Sequence, residues 1–215
     1  MRRPTSAPDP GAVLVADTSF WINLAATECS AEILHALAAP VILVDAALED
    51  LKRGQARGWQ SMEVVEALLA AGHTRVEALP SSALPAFAGL VAGGAADTLD
   101  DGEAATLALA HAVGGIAIVD EKKGRRLSAA RFPALPLTYT VELLMSSAVE
   151  SVLGQPRLNE AIFAALNVAR MRVPAEMLAA VVGLIGPERA KLCPSLPLRS
   201  RTPIDITADS PTATT

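Results

Sequence analysis

Three aspartates, Asp17, Asp45 and Asp120, each follow directly after a short apolar run that predicts a buried strand. Because the carboxyl ends of strands in an open α/β sheet form the ligand crevice, we expect acids at these positions to converge. Carboxylates are the hard oxygen ligands that Mg²⁺ and Mn²⁺ prefer. A divalent ion held there could lower the pKa of a bound water molecule and bind substrate oxygens, which is the chemistry of metal-assisted hydrolysis.

Two further acidic segments fall in predicted helices, Glu49-Asp50 after the second strand and Asp100-Asp101-Gly102-Glu103 at the start of a later helix. Each acid also has a simpler explanation, because aspartate is a preferred helix N-cap. Asp45 is typical of such a cap, and Asp100 with Glu103 fits a capping box. A single acid therefore shows little, and the hypothesis rests on the combination.

The apolar pattern alternates short runs bounded by Gly, Pro or Asp with longer runs of helical period. This alternation predicts an α/β fold, a three-layer α/β/α sandwich with a parallel sheet of four to five strands. The strands are expected at 12–16, 41–44, 74–79, 115–119 and 135–138. Helices are expected up to about 38 and then at 46–55, 60–71, 82–92, 101–113 and 122–130.

The remaining segments divide the chain into a core domain and its extensions. We expect one domain over 11–140 and a helical C-terminal extension over 141–194, broken at Gln155-Pro156 and Val173-Pro174. Residues 1–10 and 195–215 are rich in Pro, Ser, Thr and Asp without apolar period, which predicts disordered ends.

Composition excludes several classes of protein. The two cysteines, Cys29 and Cys193, lack metal-ligand spacing, so neither a zinc site nor a disulfide framework is indicated and a reducing, cytoplasmic location is expected. The N-terminus has no apolar signal core, and the longest uncharged run contains prolines and glycines, so no membrane association is expected. With a net charge of −5, any binding of nucleic acid must rest on local basic patches.

Four motifs in this order resemble the PIN-domain family over about residues 12–140: ADTS (16–19), LEDLKRG (48–54), LDDGEAATLALA (99–110) and IVDEKKGRRLS (118–128). The LDxGEA and DExxGR elements are moderately specific together. The C-terminal helices are similar to the extension carried by one bacterial and archaeal branch of that family.

The resemblance implies four acidic metal ligands. It assigns Asp17 as the first, Glu103 as the third and Asp120 as the fourth, with Glu121 as a helper. Asp50 aligns with the second ligand by position, whereas Glu49 preserves the residue type of the family. Adjacent helical positions point about 100° apart, so only one is expected to face the metal, and we favour Asp50.

The resemblance further implies a Mg²⁺- or Mn²⁺-dependent endoribonuclease with Asp17, Asp50, Glu103 and Asp120 as its catalytic acids. Relatives of this type are often toxins of toxin-antitoxin modules and commonly form homodimers. RNA, a second copy of the chain and a small antitoxin protein are therefore the expected partners.

Basic and polar residues beside the acids could bind RNA phosphates. Ser19 lies two residues after Asp17 and could donate to a carboxylate or a phosphate. Two basic clusters follow the acidic motifs, one with Lys52, Arg53 and Arg57 and one with Lys122, Lys123, Arg125 and Arg126. An exposed helix face explains each cluster equally well. His35, His73 and His111 are interpreted as structural or surface residues, and Trp21 and Trp59 as core or interface residues instead of base-stacking groups.

One alternative to a nuclease stays open, and two other classes of protein are excluded by the spacing of their motifs. A catalytically inactive scaffold, or a protein of the same fold that only binds nucleic acid, remains the main alternative to an enzyme. A haloacid-dehalogenase-like phosphatase needs two aspartates two residues apart after its first strand, where this chain has Asp17-Thr18-Ser19. A phosphotransfer receiver needs a phosphorylatable aspartate on a middle strand and a later lysine at a strand end, a pattern that does not fit either.

Overall fold

A computed structural model describes residues 11–201 of the chain. One sheet contains five strands, β1 Leu14–Ala16, β2 Val41–Val44, β3 Arg75–Glu77, β4 Ile116–Ile118 and β5 Leu137–Thr138. All neighbouring strands are parallel, in the order β3-β2-β1-β4-β5. The chain runs outward from β1 to β3 and then returns to the other side of β1, so strand order reverses between β1 and β4. Ligand crevices of open α/β sheets form at such a point.

Helices flank the sheet and complete the predicted three-layer α/β/α sandwich. The central strands β1 and β2 are buried along their whole length, as strands covered on both faces must be. In residues 11–201 the helices are α1 Thr18–Ala26, α2 Ser30–Leu37, α3 Asp45–Gln55, α4 Ser61–Ala70, α5 Leu84–Val91, α6 Asp101–Val113, α7 Lys122–Arg131, α8 Thr140–Leu144, α9 Ser147–Asn167, α10 Leu178–Ile185, α11 Pro187–Leu192 and α12 Leu198–Arg201, with 3-10 turns at Ser81–Ala83 and Ala175–Met177.

The C-terminal helices pack into the same hydrophobic core as the sheet. Helix α9 contacts α1 and α2, and it buries Leu158, Ile162 and Leu166 completely or nearly so. The predicted break at Gln155-Pro156 is displaced by one residue. Gly154 has φ 71° and ψ 157°, which kinks the helix there, and Pro156 lies in the first turn that follows, where its missing N–H is not needed.

The chain remains folded beyond the point where the sequence predicts a disordered tail. Leu196 is 1% exposed, and Ser195 Oγ donates a 3.1 Å hydrogen bond to the carbonyl of Leu166. Burial of Leu196 therefore anchors residues 195–201, which end in α12. The predicted disorder of residues 1–10 and of the last part of the tail concerns residues outside the described range.

Candidate active site

Asp17 lies at the reversal point of the sheet, between the end of β1 and the start of α1. It is the N-cap of α1, and its Oδ1 accepts hydrogen bonds from Phe20 N at 3.0 Å and from Ser19 Oγ at 2.8 Å. The capping role is therefore real. Both bonds are to Oδ1, and within residues 11–201 Oδ2 of Asp17 accepts no hydrogen bond.

Asp120 lies two residues after β4, beside Asp17, and both of its oxygens are fixed. Oδ1 accepts from Thr140 N at 2.8 Å, and Oδ2 accepts from Asn23 Nδ2 at 3.1 Å. Each carboxylate oxygen retains a further lone pair for a ligand. Asn23 was missed by the sequence predictions, although a polar residue inside the apolar run 20–26 was a usable signal.

Glu103 lies in the first turn of α6, where only half of the predicted capping box forms. Asp100 caps the helix, because its Oδ1 accepts from Glu103 N at 2.9 Å. The Glu103 side chain does not complete the box, and its Oε1 is buried without a hydrogen-bond partner among the described residues. The carboxylate lies against Gly124 of α7, where any Cβ would overlap Oε1. Glu103 is thus packed into a place that leaves an acceptor unpaired.

The two candidates for the second ligand lie in different environments on α3. Asp50 faces the same cavity as the other acids, accepts a 3.4 Å hydrogen bond from Thr18 Oγ1 and forms an ion pair with Arg53. Glu49 lies outside the cavity, and its side chain, 57% exposed, forms a 2.7 Å ion pair with Lys52. The geometry therefore favours Asp50.

One cavity of about 370 Å³ brings the acids together at the sheet edge. A metal site requires Asp17, Glu103 and Asp120 in one neighbourhood, and all three line this cavity. Asp45 does not line it, since that residue is exposed and its Oδ1 accepts from Ala46 N at 2.8 Å. The acids and two polar neighbours among the lining residues are Asp17, Ser19, Asn23, Asp50, Asp100, Glu103, Asp120 and Glu121.

Burial makes these carboxyl groups difficult to ionise. Burial, followed by the charge of Asp120, raises the pKa of Asp17 to about 7. Burial also raises the pKa of Glu103 to about 8, with the charges of Asp100 and Asp17 adding to the effect. The pKa of Asp120 is raised by burial against the opposing hydrogen bond from Thr140. A bound cation would therefore favour the ionised form of these carboxyl groups.

These residues fit a hard divalent cation. The donors are carboxylate oxygens, Glu103 Oε1 has no hydrogen-bond partner within residues 11–201, and a cation would relieve the mutual repulsion of the acids. In residues 11–201 no group of three or more His, Cys, Asp or Glu side chains is already arranged around a single ion position. Side-chain movements would therefore be needed before these residues could hold one ion, among them release of Asp50 from Arg53.

Arginines surround the acidic centre on two sides and form what we call the basic rim, namely Arg53, Arg57, Arg170 and Arg172. Arg53 lies near the C-terminal end of α3, and Arg57 lies in the turn that follows this helix. Arg170 and Arg172 come from the turn after α9, which is anchored by buried Met171, whose N–H donates to Ala165 O at 2.9 Å. Arg172 also lies 3.3 Å from Glu121. Apart from Arg53 and Arg57, sequence reasoning did not identify these residues.

Three basic side chains of the second predicted cluster, on α7, donate hydrogen bonds to backbone carbonyl groups of the fold. Lys123 Nζ donates to Ala95 O at 2.6 Å, and Arg126 donates to Ala96 O at 2.7 Å. Arg125 donates to Val119 O and Thr138 O at 3.0 and 3.1 Å, and its guanidinium lies 3.5 Å from the centre of the Tyr139 ring. Lys122, Lys123 and Arg125 do not line the cavity, and neither does Lys52.

The remaining polar and aromatic candidates divide between core and surface. Trp21 is fully buried and contacts Phe20 edge-on, with ring centres 5.2 Å apart, as a core residue should. Trp59 is 46% exposed and lines the cavity. His111 stacks on Phe132 with ring centres 4.6 Å apart. None of His35, His73 and His111 lines the cavity.

Comparison with known families gives one result. A family profile described as PIN domain matches residues 13–187, which is most of the chain and continues through α10. No curated protein and no solved structure matches the chain significantly. No helix in residues 11–201 combines the length and apolar character needed to cross a membrane.

Proposed function

We propose that this chain, which belongs to the PIN-domain family, is a Mg²⁺- or Mn²⁺-dependent endoribonuclease. PIN domains are generally nucleases that use divalent metals, so a nuclease-type fold is the starting point. The observation that carries the finer proposal is the buried acidic cavity, in which Asp17, Glu103 and Asp120 meet and Glu103 Oε1 lacks a partner. An arrangement this unfavourable for bare carboxylates is expected where a cation is to be held.

Each acid has a distinct part in this proposal. Asp17, Glu103 and Asp120 would hold the cation, with Asp50 as a fourth ligand once it leaves Arg53. Asn23 and the backbone of Thr140 orient Asp120, and Ser19 orients Asp17. A divalent cation bound there supplies charge neutralisation for the phosphate and lowers the pKa of a water molecule. Glu121 lines the same cavity and could position that water.

The basic rim gives this acidic chain a local means of binding phosphates. The arginines of the basic rim line the cavity beside the acids. Their positive charge would attract the phosphates of RNA and offset repulsion by the acids. Lys52, Lys122 and Lys123 lie further out and would contact more distant phosphates. Arg125 supports the fold at the β4–β5 edge and would act on RNA only indirectly.

Two matched aspartate variants test the nuclease proposal. Purified protein should cleave RNA with Mn²⁺ or Mg²⁺ and lose this activity with EDTA. Asp17→Asn should abolish cleavage, whereas Asp45→Asn should not, because Asp45 also follows a strand but is exposed and outside the cavity. Cleavage by Asp17→Asn at the parent rate, or metal-independent cleavage, would reject the proposal. RNA binding without any cleavage would favour the inactive, binding-only alternative.

A toxin role with an antitoxin partner and a homodimeric state is proposed on family membership. Expression of the parent chain should stop growth of a host that lacks a matching antitoxin, and Asp17→Asn should not. Light scattering should give twice the mass of one chain. Because the sequence has only two cysteines, without the spacing of a disulfide framework, we also propose a reducing, cytoplasmic location. Normal growth at high expression and a monomeric mass would remove these two proposals without affecting the nuclease assignment.

A further inference from the structure

Trp59 is a large aromatic side chain left exposed on the wall of the acidic cavity. It is 46% exposed, in contrast to Trp21, which is completely buried. An exposed indole contributes less hydrophobic stabilisation to the fold than a buried one. Its position beside the charged side chains of the cavity therefore indicates a binding role. The interpretation of Trp59 as a core residue is excluded by this exposure.

Gly54 fixes the position of the indole. The chain turns after α3, and Trp59 N donates a 3.1 Å hydrogen bond to Gly54 O. The six-membered ring of the indole lies against Gly54. A Cβ there would overlap Cε3 of the ring and lie 2.9 Å from Cζ3. One side of the indole is therefore held on the helix backbone, and the exposed part borders the cavity before any ligand binds.

The surroundings of Trp59 match the parts of a nucleotide. Arg57, two residues before Trp59, lines the same cavity and offers a cation for a phosphate, while Asp17 and Asp50 line it as acids. A volume of about 370 Å³ falls in the range of about 300–1,000 Å³ found for small-molecule sites, which is enough for a nucleotide-sized group. An aromatic face, a cation and a metal-binding centre thus lie in one cavity.

We infer that Trp59 is a stacking platform for an unpaired base of the RNA that binds in this cavity. The inference rests on the proposed function for the identity of the ligand as RNA. In a duplex, each base face is covered by its neighbours, so only an unpaired nucleotide can place its base on the indole. Stacking of this kind tolerates every base, so Trp59 selects strandedness instead of sequence.

The direct test is binding of one oligoribonucleotide, single-stranded or annealed to its complement, to protein that carries Asp17→Asn to prevent cleavage. Intrinsic tryptophan fluorescence should be quenched by the single strand and unchanged by the duplex. Replacing Trp59 by Leu should remove the quenching and weaken single-strand binding about 5- to 150-fold. Trp59→Phe retains an aromatic face and should keep most of the affinity.

Gly54→Ala is a second variant that keeps the aromatic ring but moves it. Its Cβ would displace the indole, so weaker single-strand binding is expected with both tryptophans present. Thermal unfolding of every variant provides the control for folding. Parent-like affinity of the Trp59→Leu variant, or equal quenching by the duplex, would overturn the inference.

The outcomes separate this inference from the nuclease proposal. If the parent protein and the Trp59→Leu variant cleave RNA equally well, only the stacking role is rejected. Parent protein that neither binds nor cleaves RNA would reject both. If Trp59→Leu instead converts a dimer to a monomer without changing RNA affinity, Trp59 belongs to a protein interface and the inference is wrong.

Discussion

Acidic residues inside the cavity and acidic residues outside it differ in environment, although the sequence presents them alike. Asp17, Glu103 and Asp120 are buried, and their pKa values are raised. Asp45 and Glu49 are exposed and satisfied by a backbone N–H and a lysine, respectively. Position relative to the reversal point of the sheet, more than residue type, therefore distinguishes the acids that line the cavity from those that do not.

Basic residues divide in the same way. The arginines of the basic rim line the cavity, whereas Lys123, Arg125 and Arg126 of α7 donate to backbone carbonyl groups of the fold. Both clusters are basic runs that follow an acidic motif. Their contacts therefore predict different contributions to RNA binding.

The largest expected difference between the acids inside the cavity and those outside it is in the rate of RNA cleavage. Asp120→Asn and Glu103→Gln should each remove several kcal/mol of transition-state stabilisation, which is about 100-fold or more in rate. Glu49→Gln, outside the cavity, should cleave RNA close to the parent rate. Initial rates with a labelled RNA in Mn²⁺ provide the measurement, and circular dichroism checks that each variant is folded. Full activity of the Asp120 or Glu103 variant would contradict the distinction between acids inside and outside the cavity.

A smaller effect is expected when Glu103 is moved without being replaced. Gly124→Ala places a Cβ where Glu103 Oε1 lies, so the carboxylate must shift and cleavage should fall about 10- to 100-fold, as for other groups that orient metal ligands. Gly183→Ala in α10 is the matched control, because its Cβ would meet no atom within 4 Å. That control should keep its activity and gain about 0.5–1 kcal/mol of stability. Equal activity of the two variants would contradict the packing argument.

Stability should depend on pH because of the same acids. Their pKa values in the folded state, about 7 for Asp17 and about 8 for Glu103, lie above the ordinary values of 3.8 and 4.5. The folded state therefore binds more protons than the unfolded state between about pH 4 and pH 8, so stability without metal should fall as pH rises through that range.

Added Mg²⁺ should offset this loss, by about 2.7 kcal/mol at a concentration 100 times its dissociation constant. Urea unfolding at pH 5 and pH 8, with and without Mg²⁺, measures both effects. Glu103→Gln should flatten the pH dependence, and Glu49→Gln should preserve it. A metal-free protein that is more stable at pH 8 than at pH 5 would contradict the raised pKa values.

The smallest effects are expected from single basic residues. Arg57→Ala should weaken RNA binding and reduce the dependence of log affinity on log salt concentration by about one unit. The double variant Lys122→Ala/Lys123→Ala should change both quantities less, because neither lysine lines the cavity and Lys123 donates to Ala95 O. Titrations at several salt concentrations measure the slopes. A larger change in the lysine variant would place the RNA path over α7.

Much of the fold could be predicted because local patterns determine it. The predicted strand 41–44 and helix 101–113 coincide with β2 and α6, each bounded by strong signals such as the Asp100 cap and Gly114 at the C-cap. The predicted strand 12–16 extends two residues before β1, because apolar character does not mark where ladder pairing begins. The helix break was assigned to Gln155-Pro156, whereas Gly154 adopts the non-helical conformation.

The site was less predictable where it depends on contacts between distant residues. Position at a strand end indicated Asp17 and Asp120 but also Asp45, which lies outside the cavity, whereas the resemblance to the PIN-domain family indicated Glu103. The Asn23 contact with Asp120 joins residues 97 positions apart, and no local pattern reports such a pairing. The exposure of Trp59 likewise depends on how the turn after α3 packs on Gly54.

The most direct test of the account is anomalous diffraction from crystals of the parent protein soaked in Mn²⁺. We predict an anomalous peak inside the cavity, in contact with at least two of Asp17, Glu103 and Asp120. A cavity without a peak at a Mn²⁺ concentration that supports RNA cleavage, or ions bound only at outer acids such as Glu49, would contradict the central claim that these buried acids hold a divalent cation.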